Sequence, residues 1–110
     1  MKQYVVDELR FTDYEKIKAY LDACLGPGQM EGIYWVPLEE NLLNDVQAAH
    51  TECKPFYLAL ELQSNRLSCE LLVRTTNRIR CQCMEYANEQ QRNWIIAFVD
   101  AIFEKLGIKT

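Results

Sequence analysis

The 110-residue sequence predicts a two-layer α+β fold: a mainly antiparallel sheet with helices on one face, in the order β-α-β-(α)-β-β-β-α. Three observations carry that expectation. Residues 56–84 hold three consecutive runs of alternating apolar residues separated by short polar turns, the pattern of an antiparallel meander. Two stretches, near 12–25 and 88–106, repeat apolar residues at helical spacing behind N-terminal capping signals. The chain is long enough for one core but not two, so 1–110 reads as a single domain.

Taken in order, residues 4–11 form a first strand rich in β-branched and aromatic side chains. Thr12 and Glu15 have the spacing of a capping box, opening a helix whose inner face is Tyr14, Ile17, Leu21, Cys24 and Leu25. Gly26-Pro27-Gly28 stops it. Residues 32–36 form a short second strand that Pro37, lacking a donor, ends or places at an edge. A strand-helix-strand order favours a parallel first pair with a right-handed crossover. A weaker helix lies within 41–53, capped by Asn44 to Gln47, with Val46, Ala49 and His50 facing inward and Lys54-Pro55 as its stop.

In the meander, Phe56, Leu58, Leu60 and Leu62 share one face, as do Leu67, Cys69, Leu71 and Val73, and then Ile79, Cys81 and Cys83. A Ser64-Asn65 turn places Leu62 opposite Leu67, Leu60 opposite Cys69 and Leu58 opposite Leu71. A Thr75–Asn77 loop then places Arg74 opposite Arg78, Val73 opposite Ile79, Leu71 opposite Cys81 and Cys69 opposite Cys83. Asn88 to Gln91 caps the last helix, which runs to Leu106 and ends at Gly107. Its apolar arc, from Trp94, Ile95 and Phe98 to Ile102 and Leu106 and widened by Ile96, Val99 and Phe103, exceeds what one sheet needs, so it touches something on two sides.

Composition narrows the function. Its 49% hydrophobic and 25% charged residues are those of an ordinary globular chain. A net charge of −4 argues against general electrostatic binding of nucleic acid or an anionic membrane. No apolar run approaches the ~18 residues of a membrane span, and the charged N-terminus does not resemble a signal peptide. A cytoplasmic location is therefore expected, with the five cysteines reduced. There is no P-loop and no dinucleotide fingerprint, so no cofactor is expected and an enzyme is disfavoured.

Three readings of the site residues follow. The first is a non-catalytic adaptor that binds a protein or peptide, or a second copy of itself, through the open sheet face at Tyr57, Leu72, Arg74, Arg78 and Arg80. Arginine and aromatic residues are enriched at interface cores, and clustered arginines ask for a compensating anion. The second is a zinc site or metalloenzyme built on His50, Cys53, Cys69, Cys81 and Cys83. Against it, residues i and i+2 of a strand lie ~6.6 Å apart, too far to converge easily on one ion, and buried cysteine more often packs as a small hydrophobe. The third is a small-molecule pocket between the sheet and residues 39–53, lined by Tyr34 and Trp35.

Overall fold

The computed structural model describes residues 2–26, 32–75 and 84–108. Its elements are β1 (Gln3–Val6), α1 (Phe11–Leu25), β2 (Ile33–Pro37), α2 (Asp45–Ala49), β3 (Phe56–Gln63), β4 (Arg66–Glu70), β5 (Arg74–Thr75) and α3 (Glu89–Leu106). Short 3₁₀ turns at Glu40–Leu42 and Thr51–Cys53 flank α2. The sheet runs β1-β4-β3-β2, with β5 also on β3, and every pairing among the described residues is antiparallel. The helices pack on one face over a single apolar core, giving the expected α+β architecture. No helix among the described residues is long and apolar enough to cross a membrane.

The β3–β4 hairpin holds the centre. Leu58 and Leu60 are completely buried, and Leu60 opposes Cys69 and Leu62 opposes Leu67 across the Ser64-Asn65 turn, as the alternation predicts. Two expectations about its neighbours fail. The first two strands are not a parallel pair: they occupy opposite edges and run in opposite directions, because the stronger hairpin takes the positions between them. Cys69, expected opposite Cys83, has Leu60 and Tyr4 as its two cross-strand neighbours. The expected third meander strand lies mostly outside the described residues, and with it Arg78, Ile79, Arg80, Cys81 and Cys83.

The hairpin register also breaks after Cys69. The pairs Leu60–Cys69 and Tyr57–Arg74 differ by two residues, so Leu71 to Val73 lie in a bulge where four residues, Glu70 to Val73, face two, Leu58 and Ala59, and the expected Leu58–Leu71 pair is not formed. The bulge redirects its backbone groups. Leu71 N–H donates to Lys2 O (3.0 Å), Leu71 O accepts from Ala87 N–H (2.8 Å), and Val73 N–H donates to Glu85 O (3.0 Å). Leu71 thus meets Ala87 where Cys81 was expected.

Local chemistry sets the ends of the elements. β1 stops at Val6, five residues short of expectation, because Glu8 takes a left-handed conformation (φ 58°) and turns the chain so that Leu9 is buried. Arg10 then caps α1, and the Asp13 carboxylate accepts from the Arg10 backbone N–H (3.2 Å) and Nε (3.3 Å). The Thr12–Glu15 capping box is not formed, since Thr12 already lies inside the helix. Cys24 is exposed in the last turn, where it contacts Tyr20, although Ile17 and Leu21 on the same stripe are buried. The spacing gives the stripe's direction but not how far along the helix the cover extends.

Pro37 ends β2 on an outer edge. Gly32 O accepts from Leu62 N–H and Leu38 N–H donates to Phe56 O, so even-numbered residues of this edge bond inward. Ile33, Trp35 and Pro37 point their backbone outward, where a missing N–H costs no ladder bond. The C-terminus of α3 closes in a Schellman pattern, with Gly107 left-handed (φ 70°), Gly107 N–H on Glu104 O and Ile108 N–H on Phe103 O.

Two capping boxes meet in the core. Asn44 and Gln47 bond reciprocally at α2, and Asn88 and Gln91 do the same at α3. Both glutamines are fully buried, and Gln91 Nε2 donates to Gln47 Oε1 (2.9 Å) and to Leu42 O (2.8 Å). This turns α2 so that Gln47 faces inward while Val46, expected inside, is 42% exposed and Ala49 is also exposed. His50 is half-buried. The wide arc of α3 is accounted for by the sheet beneath and α1 alongside, where Lys105 Nζ lies 5.3 Å from the centre of the Tyr20 ring.

Candidate functional site

The helix-free face is built from the alternate residues of each strand. Trp35 of β2 and Tyr57 of β3 meet edge to face, with ring centres 5.9 Å apart, and both are half-exposed. Arg74 of β5 lies directly opposite Tyr57. Its guanidinium donates to Glu70 Oε1 through Nε (2.9 Å) and Nη2 (2.5 Å), so the cation is already neutralised from the end of β4. A second polar chain, Arg66 to Gln63 to Glu61, crosses the same face. Between these networks a shallow depression of about 190 Å³ is lined by Gln3, Ile33, Glu61, Arg66, Ser68 and Glu70, among others.

Of the expected interface residues, Tyr57 and Arg74 are brought together. Leu72 lies in the bulge and bridges to Tyr86, while Arg78 and Arg80 lie outside the described residues. The sequence reading missed Trp35 as a member of this face. The signal was present: Ile33 and Trp35 alternate with Tyr34 and Val36, and the latter pair is buried. For the same reason Tyr34 and Trp35 do not line one pocket, because neighbours on a strand face opposite ways.

The covered face is held by two matching contacts at its edges. Tyr4 of β1 donates to Asp100 Oδ1 on α3 (2.7 Å), and Tyr34 of β2 donates to Asp22 Oδ1 on α1 (2.6 Å). Burial, and then the bonded and charged Asp100, pushes the Tyr4 phenol up to about 12. Burial, with Asp22 beside it, raises Tyr34 in the same sense. In return the Tyr34 hydroxyl, and then Lys18, hold Asp22 below the usual carboxylate range.

For the metal reading, His50 Nδ1 and Cys53 Sγ stand 4.0 Å apart. Cys69 is buried in the sheet between Leu60 and Tyr4, and burial pushes its thiol up to about 12. Among the described residues no three His, Cys, Asp or Glu side chains are grouped so as to hold an ion; Cys81 and Cys83 lie outside them. No protein-family model, curated protein or solved structure matches the chain.

Proposed function

We propose that this is a non-catalytic binding domain that presents its helix-free sheet face to a protein or peptide, including a second copy of itself. The observation that supports it is the half-exposed Trp35–Tyr57 pair with Arg74 beside it. Aromatic rings and arginine are the side chains that most often anchor interfaces, since they desolvate large areas at small cost in rotamer entropy. The Glu70–Arg74 and Glu61–Gln63–Arg66 networks hold the polar groups of the face in place before a partner arrives, which lowers the ordering cost of binding.

The test compares the wild type with Tyr57→Ser and Arg74→Glu in sedimentation velocity and in quantitative affinity capture from cell extract, with circular dichroism to confirm folding. Both variants are expected to fold and to lose self-association or the partners that the wild type captures. Unchanged self-association and unchanged capture in both would show that this face is not the interface.

A further inference from the structure

We infer that the corner where β1 and α3 begin is a binding site for a phosphate monoester of a small organic molecule. A depression of about 490 Å³ opens there, lined by Lys2, Gln3, Leu71, Tyr86, Ala87 and Arg92. That is the size range of small-ligand sites, roughly 300–1,000 Å³. Only Gln3 is shared with the depression on the helix-free face, so this site stands apart from the proposed interface.

Its walls are fixed by backbone bonds. Leu71 sits between them, donating to Lys2 O and accepting from Ala87 N–H. The Lys2 ammonium lies 5.5 Å from the centre of the Tyr86 ring. Neither it nor the Arg92 guanidinium has an ion-pair partner among the described residues. Two acids adjoining the lining residues in sequence are engaged elsewhere: Glu85 accepts from Asn44 Nδ2 (2.6 Å), and Glu70 from Arg74.

Arg92 follows directly on the first turn of an 18-residue helix, whose N-terminal dipole is positive and whose first turn carries one acid, Glu89. Two exposed cations line one concavity beside a dipole of the same sign, in a chain whose net charge is −4. Like charges lining one depression raise the local potential in favour of an anion. Two cations suit a dianion, with arginine supplying a planar fork and lysine a point charge. Tyr86, which is 45% exposed, and the apolar floor of Leu71 and Ala87 would cover an organic body that inorganic phosphate lacks.

The experiment is an amide chemical-shift titration of the full chain with phenyl phosphate, inorganic phosphate and phenol in parallel. Saturable shifts at Leu71, Ala87 and Arg92 are expected with phenyl phosphate, weaker binding with inorganic phosphate, and none with phenol. Lys2→Gln and Arg92→Gln should each weaken phenyl phosphate about tenfold, the usual size of a lost charge-assisted bond, without changing the melting temperature. Absence of saturation at millimolar phenyl phosphate, or equal affinity in both variants, would overturn the site. Equal affinity for inorganic and phenyl phosphate would overturn the organic-body assignment.

Discussion

Gln91 stands where a capping box ordinarily carries glutamate, and the structure explains the amide. A carboxylate could still accept from the Asn88 N–H, as Gln91 Oε1 does (3.0 Å). It could not donate to Leu42 O or Gln47 Oε1, which the Gln91 Nε2 now satisfies in a site without solvent. Gln91→Leu removes these bonds and leaves a buried carbonyl without its donor, a loss of about 2–4 kcal/mol. Gln91→Glu should cost more at neutral pH, about 3–5 kcal/mol, because it turns a charge toward two buried acceptors.

The second cost depends on protonation. The introduced carboxyl is held neutral more strongly in the folded state than in the unfolded one, so its folded pKa is raised. Its penalty is therefore smallest below the unfolded value of about 4.3 and grows as pH rises through the raised folded value. Urea unfolding followed by tryptophan fluorescence at acid and neutral pH, read as a difference from wild type, measures both. A Gln91→Glu variant as stable as wild type at neutral pH would refute the reasoning, since the amide would not be donating.

Three further outcomes follow from the geometry. The tyrosines at the sheet edges make folding sensitive to alkali: their raised pKa values contribute stability that is complete below about pH 10 and declines as pH rises through the folded value, about 12 for Tyr4. Tyr4→Phe and Tyr34→Phe should each flatten the fall in urea midpoint across that window, and an unchanged fall in both would sink the account. Gly32→Ala should destabilise by about 2 kcal/mol or more in the same assay, because a Cβ would meet Leu62 O at 2.9 Å at a left-handed residue (φ 82°); a neutral result would contradict that approach. Among Cys24, Cys53 and Cys69, a thiol reagent should modify Cys24 in the folded protein and the other two only after unfolding, as read by peptide mass spectrometry.

What could be read from the sequence was what neighbours in the chain decide among themselves. Asn44 with Gln47, Asn88 with Gln91, the glycine after Leu106 and the Ser64-Asn65 turn all follow from contacts within a few residues. What could not be read depends on distant partners. Val46 turns outward because Gln47 is claimed by Gln91, 44 residues away. Cys69 faces Tyr4 because the chain's first strand reaches back to β4. The open face was legible as alternation in β3, but Trp35 joined it only once the covered side of β2 was known. Glu8 gave no compositional hint of its turn, since glutamate is not a residue that favours the left-handed region.

The bulge at Leu71 to Val73 has a consequence for exchange of backbone hydrogens. Within three residues the chain passes from one set of partners to another: the Leu71 amide depends on Lys2 at the N-terminal edge, and the Val73 amide on Glu85 on the approach to α3. If β1 detaches, the Leu71 hydrogen loses its acceptor while Val73 keeps its own. The two amides therefore serve as separate clocks, and the ratio of their protection factors reports whether the sheet opens first at its N-terminal edge or where the last helix begins.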